Sequence, residues 1–137
     1  MTSPVPVILV VEDYDIAGLL LERFLTRGDA SGRSYTVDRV ENGRLAVEAA
    51  AARRYDLILM DVEMPEMDGI EAVQLIRQDE QRRAVSAVQV IAITANTDAG
   101  ASERYLQAVY SGYLAKPVVK SSLLEAVARA TGMDLDL

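Results

Sequence analysis

Histidine and cysteine are both absent from these 137 residues, so any chemistry must run on Asp, Glu, Lys, Ser, Thr or Tyr. Thiol catalysis, disulfides, histidine or cysteine metal sites, a Ser-His-Asp triad and a phosphohistidine within the chain are all excluded. The remaining candidates are few and spread along the chain: Glu12 and Asp13, Asp61, Thr94, and Lys116 followed by Pro117. Two unit charges about 4 Å apart repel by roughly 4 kcal/mol at an effective dielectric near 20. Three carboxylates gathered at one place would therefore need more than the single Lys116 ammonium to offset them. A divalent cation would do so, and an all-oxygen set with positions open to water suits Mg²⁺ better than zinc or copper. A carboxylate such as Asp61 can attack phosphorus and form an aspartyl phosphate. That transfer depends chiefly on neutralising the equatorial phosphoryl oxygens. The metal, the Lys116 ammonium, and the Thr94 hydroxyl with nearby backbone N–H groups are suited to the task.

These residues can act together only if the fold gathers them. Short apolar runs alternate with longer helix-period segments. "VPVILVV" (5–11), "YTVDRV" (35–40), "YDLILM" (55–60), "VQVIAI" (88–93) and "GYLA" (112–115) read as strands. The third is apolar on both faces, as a central parallel strand requires. Between them lie predicted helices. "DIAGLLLERFL" carries Ile16, Leu20 and Phe24 along one face, with Asp15 as a cap. "NGRLAVEAAAARR" is alanine-rich, and "GIEAVQLIRQDEQRR" points Val73 and Ile76 inward. "DAGASERYLQAV" (98–109) is a weaker helix. "SSLLEAVARA" has Ser122 and Glu125 spaced as a capping box. Five β-α pairs imply an α/β fold, a doubly wound parallel sheet with helices on both faces. Ligands of such sheets bind at the carboxyl ends of the strands. Every predicted central strand delivers a polar group there: Glu12 and Asp13, Asp61, Thr94, and Lys116. The second strand ends in Glu41 and Asn42 and belongs at the rim.

Each residue taken alone has a plainer reading. An acidic pair after a strand caps a helix, Asp before a proline-bearing loop serves a turn, Thr caps the next helix, and Lys-Pro lies in a loop. Their arrival at one strand edge, in this order, is what argues for a site. Composition narrows the partners. Half of the residues are apolar, about a quarter are charged, and the net charge is −7. No basic stripe marks a nucleic-acid binder, and the acidic balance argues against anionic membrane. The N-terminus lacks a basic n-region and its apolar run ends in acid at Glu12, so neither a signal peptide nor a membrane span is expected. The expected compartment is the cytoplasm. Length and the lack of a linker or repeat point to one domain over 1–137, with a core of about 6–131 and no output domain.

From "VILVVED" through "YDLILMDVEMPEMDG" and "VIAITA" to "GYLAKP", the chain resembles a response-regulator receiver domain, the phosphoacceptor half of two-component signalling. The resemblance implies a flavodoxin-like (βα)5 fold with five parallel strands in the order 2-1-3-4-5. It implies Asp61 as phosphoacceptor, with Thr94 and Lys116 binding the phosphoryl group. It implies Mg²⁺ held by Glu12, Asp13, Asp61 and the backbone carbonyl of Glu63, with Asp13 direct and Glu12 through water. It also implies a cis bond before Pro117, and a switch in which Thr94 moves toward the phosphoryl group while Tyr113 rotates inward. Tyr105 and Tyr110 lie near that face and are candidate partner contacts. Residues 63 and 96 would govern water access during dephosphorylation. Pro65 and Gly69 would shape the loop after the acceptor, with Met64 and Met67 as packing residues.

With no histidine in the chain, the donor must be a sensor histidine kinase or histidine phosphotransfer protein acting in trans. The signal would leave through a downstream protein target, and a homodimer is a further option. Such a protein is no enzyme beyond catalysing its own phosphorylation and autodephosphorylation. Met1 and the length favour a stand-alone protein, although "DVEMPEMDGIEA" and "AITANT" resemble receivers of hybrid kinases. Haloacid-dehalogenase-type phosphatases form the enzyme alternative. They use the same residue types, but their nucleophile follows the first strand and their catalytic Asp would fall at Glu63. A degenerate receiver, acting as a constitutive binding module, would have lost a site residue, and none is lost here. The "TRGDASGRS" loop (26–34) is longer than usual for such a fold, and "RQDEQRRAVSA" reads as a solvated polar connection.

Overall fold

All five apolar runs become parallel strands in the computed structural model, which describes residues 5–28, 34–64, 67–95, 100 and 110–132. In chain order the elements are β1 (Val7–Val11), α1 (Asp15–Arg27), β2 (Thr36–Val40), α2 (Gly43–Ala52), β3 (Leu57–Asp61), α3 (Gly69–Arg83), β4 (Gln89–Thr94), β5 (Gly112–Ala115) and α4 (Lys120–Ala130). The expected helix over 98–109 lies outside the described residues except for Gly100. Pro65, Asn96, Tyr105 and positions 29–33 of the long loop also lie outside them.

The strands pair in the order β2-β1-β3-β4-β5. Each face of the sheet carries its own core. Leu9, Val11, Ile58, Met60, Val90 and Ala92 point to one side and pack with Ala46 of α2 and with Ala72, Val73 and Ile76 of α3. Ile8, Val10, Leu57, Leu59, Ile91 and Ile93 point to the other and pack with Leu21 and Leu25 of α1 and with Leu123 and Val127 of α4. Alternation along strands covered on both faces is why β1, β3 and β4 read as unbroken apolar runs.

Register then sets the site. Val11 lies opposite Met60, Asp61 opposite Ile93, and Thr94 opposite Ala115. Glu12, Asp61, Thr94 and Lys116 therefore end their strands at nearly one level. Edge strand β2 places Glu41 and Asn42 away from that centre. There Asn42 caps α2, accepting from the Leu45 N–H at 2.8 Å.

Three local expectations are corrected. The buried face of α1 is Gly18, Leu21 and Leu25, while Ile16 and Leu20 are exposed. The helix has two apolar stripes, and the side bearing Gly18 faces β2, where an added Cβ would lie 2.7 Å from the Arg39 guanidinium. Asp15 is the first helical residue and Tyr14 holds the cap position without a side-chain bond. The capping box at Ser122 does not form either. The helix has already begun at Lys120 with Val119 at its cap, so Ser122 sits inside the first turn.

Candidate functional site

Asp61 closes β3 and is 1% exposed. Its Oδ1 accepts from the Lys116 ammonium at 2.8 Å and from the Glu63 backbone N–H at 3.1 Å. Lys116 is brought there from the end of β5, where its own N–H donates to the Thr94 carbonyl at 2.9 Å. The Lys116–Pro117 peptide is cis. Glu12 is buried at the end of β1, where it accepts from the Tyr14 N–H through Oε1 at 3.2 Å. Ligand oxygens of Glu12, Asp13 and Asp61 all lie within 4.8 Å of one another, with Asp13 exposed and the other two buried. The ends of β1 and β5 thus converge on the carboxylate that closes β3.

The electrostatics are strained in a particular sense. Burial, the hydrogen bond with Asp61 and the Asp61 charge push the Glu12 carboxyl up to about 7. Burial opposes the charge on Lys116, yet the hydrogen bond and charge of Asp61, with Glu12 and Glu63 behind, hold its ammonium above the usual lysine range. One cation is shared by several carboxylates. A cluster of hard oxygen donors, with the Glu12 charge disfavoured and Asp13 open to water, fits a small divalent cation such as Mg²⁺.

The loop after Asp61 is held by close approach. An added Cβ at Gly69 would stand 2.6 Å from the Asp61 carbonyl oxygen and 2.7 Å from the Tyr110 hydroxyl. Gly69 N–H donates to the Val62 carbonyl at 3.1 Å, and Asp68 caps α3 by accepting from Glu71 N–H at 2.9 Å. Met64 is buried and Met67 packs against the same core, so both are packing residues. Tyr110 is 4% exposed and belongs to the core, which corrects its reading as a partner contact. Tyr113, on β5, is exposed.

Glu63 lies beside the site, as expected, and its side chain reaches the end of β4, where Oε2 accepts from the Thr94 hydroxyl at 2.8 Å and Oε1 from the Ala95 N–H at 3.2 Å. One residue was placed poorly by sequence reasoning. Glu80 falls in a charged run read as solvated, yet it is buried on α3. It pairs with Arg77 at 2.9 Å and accepts from Val88 N–H at 2.7 Å. Among the described residues, no helix is long and apolar enough to cross a membrane.

The model of the response regulator receiver domain matches residues 8–128. The sensor protein GacS of Pseudomonas syringae is 36% identical over 135 residues, covering 98% of this chain. The chain spans 14% of the length of that relative. The receiver domain of the sensor histidine kinase PA1611 from Pseudomonas aeruginosa, solved with magnesium in its active-site cleft, is 38% identical with a TM-score of 0.79. That match covers 94% of this chain and 99% of the other. A receiver domain of Saccharomyces cerevisiae Ssk1, solved with the histidine phosphotransfer protein Ypd1, superposes with a TM-score of 0.85 at 27% identity. It covers 97% of this chain and 93% of the solved one. The fold, the strand-edge cluster and these likenesses agree: the chain belongs to the response regulator receiver domain family, the phosphoryl-accepting modules of two-component phosphorelays.

Proposed function

We propose that Asp61 accepts a phosphoryl group from a phosphohistidine of a sensor kinase or phosphotransfer protein in trans. The observation that carries this is the convergence on one buried carboxylate of Lys116 at 2.8 Å and of Glu12 and Asp13, one oxygen of each lying within 4.8 Å of the others and of Asp61. When bound, Mg²⁺ would be held by Glu12, Asp13, Asp61 and the Glu63 carbonyl, and it would neutralise charge on the phosphoryl oxygens. Lys116 orients the Asp61 carboxylate and stabilises the charge that accumulates on phosphorus-bound oxygen. The Thr94 hydroxyl and the neighbouring Ala95 N–H supply neutral donors at the same strand end. In the transfer, an Asp61 oxygen forms a bond to phosphorus as the donor's P–N bond breaks. The electron pair leaves on the donor imidazole. Hydrolysis of the resulting acyl phosphate by water returns Asp61 and releases inorganic phosphate, so the only chemistry the domain performs is on itself.

The switch follows from the same residues. Thr94 lies in register with Ala115, and Tyr113 with Ala92. A Thr94 hydroxyl drawn to the phosphoryl group would make room at the end of β4 for the exposed Tyr113 ring, altering the β5 surface offered to a downstream protein. Donor docking suits α1 and its cap, which follow Asp13 directly and expose Tyr14, Ile16, Leu19 and Leu20. The described elements form one sheet covered on both faces, which supports one receiver unit with a core of about 6–131.

Incubation with acetyl phosphate and Mg²⁺, followed by intact-mass spectrometry, tests the assignment. Wild type should gain a labile phosphoryl group of roughly 80 Da, and Asp61→Asn should gain none. An adduct that survives in Asp61→Asn would exclude Asp61 as the acceptor, and one formed equally without Mg²⁺ would exclude the metal's role.

A further inference from the structure

Glu63 occupies ground that the phosphoryl group would need. Its carboxylate accepts from the Thr94 hydroxyl at 2.8 Å and from the Ala95 N–H at 3.2 Å, and it stands 3.8 Å from the Lys116 ammonium. A hydroxyl, a backbone amide and an ammonium are the donors that a phosphoryl group on Asp61 would draw on. The backbone of Glu63 is fixed, because its N–H donates to Asp61 Oδ1 at 3.1 Å. Its side chain remains 46% exposed, so it has a path outward into solvent.

Resting on the reading of Asp61 as phosphoacceptor, we propose that Glu63 is an internal surrogate for the phosphoryl group. In the unphosphorylated protein its carboxylate holds the Thr94, Ala95 and Lys116 donors, and an incoming phosphoryl group must displace it. Two anions cannot share these donors without repulsion. Charge-assisted hydrogen bonds to a carboxylate are also stronger than neutral ones, so the surrogate is a genuine competitor. Glu63 therefore lowers the affinity of the cradle for phosphoryl-like anions. It also keeps the Thr94 hydroxyl committed until phosphate arrives, which sharpens the difference between the two states.

Beryllofluoride, which imitates a phosphoryl group on a carboxylate, is the probe. It is titrated into wild type, Glu63→Ala and Glu63→Asp, each saturated with Mg²⁺ as established by a separate calorimetric titration. The amide resonances of Thr94 and Ala95 are followed by NMR. Glu63→Ala should bind beryllofluoride roughly tenfold more tightly, the worth of about one charge-assisted hydrogen bond. Its Ala95 amide should shift before any beryllofluoride is added. Glu63→Asp keeps the charge but is one methylene too short to reach, so it should behave like Glu63→Ala. If Glu63→Asp instead matches wild type while Glu63→Ala tightens, simple charge repulsion suffices and the surrogate role is overturned. Equal affinity in all three proteins also overturns it and leaves the acceptor reading intact. If wild type neither binds beryllofluoride nor takes phosphoryl from acetyl phosphate, the acceptor reading falls and the inference with it.

Discussion

Buried carboxylates sit at both edges of this sheet, and they are treated in opposite ways. Near the amino ends of the strands, Glu80 has dedicated partners: one oxygen pairs with Arg77 at 2.9 Å and the other accepts from Val88 N–H at 2.7 Å. Arg77 in turn donates to the Val88 carbonyl at 2.7 Å, so α3 is tied to the entry of β4. Nearby, Asp38 accepts from both Arg53 and Tyr55 at 2.7 Å. Near the carboxyl ends, Glu12, Asp13 and Asp61 converge on one another with Lys116 as their common ammonium. The first edge is solved as structure, with each Glu80 oxygen taken up by a donor of its own. The second is left short of positive charge. A folded chain keeps such a deficit where a ligand supplies what is missing, and here the deficit surrounds the carboxylate proposed to take the phosphoryl group.

This contrast breaks most visibly at Lys116. Lys116→Met should slow phosphorylation by acetyl phosphate on the order of a hundredfold, because the ammonium held 2.8 Å from the Asp61 carboxylate is gone. The time course of the mass adduct measures it, and an unchanged rate would mean that the ammonium serves only to offset Asp61. Glu80→Ala should do the reverse. Removing a buried partner of Arg77 and the acceptor of Val88 N–H should cost about 3 kcal/mol in urea unfolding. The phosphorylation rate of the folded protein should stay at the wild-type value.

Glu12 gives the finest distinction, through pH. Its carboxyl is raised to about 7 in the folded protein, so the folded state binds this proton more tightly than the unfolded chain. The stability this contributes is fully present below the unfolded value near 4.5 and is lost as pH rises through 7. Without Mg²⁺, Glu12→Gln should therefore match wild type near pH 4.5. It should exceed wild type by about 1–2 kcal/mol above pH 7.5, a figure discounted for screening by solvent and Lys116. Adding Mg²⁺ should erase the advantage by favouring the charged wild type. Glu80 offers no such metal dependence, so Glu80→Ala should show the same loss with and without Mg²⁺.

Much of this was legible in the residues. Strands covered on both faces leave apolar runs that end abruptly, and the polar residue after each run, from Glu12 to Lys116, marks the reactive edge. The second strand was placed at the rim from its residues, but the full order 2-1-3-4-5 came from likeness to a family. Where the reading failed, the deciding contact was tertiary. In α1, the stripes of Ile16 and Leu20 and of Leu21 and Leu25 are equally apolar, and the sheet selects the second. Ser122 and Glu125 have capping spacing, but the chain enters α4 before reaching them. Glu80 looks like its charged neighbours until α3 carries it against Val88. Tyr110 looks like a surface aromatic until its hydroxyl is found against Gly69. Glu63 lies beside the acceptor as its position two residues on suggests, but its bonds to Thr94 and Ala95 at the end of β4 are tertiary and carry no sequence signal.

The most direct test of the central claim is chemical localisation of the phosphoryl group. Borohydride reduces an aspartyl phosphate to homoserine, which peptide mass spectrometry places in the sequence. After treatment with acetyl phosphate and Mg²⁺, homoserine should appear at position 61 and nowhere else. Homoserine at Asp13, or a stable phosphate on Thr94 with Asp61 unmodified, would contradict the account.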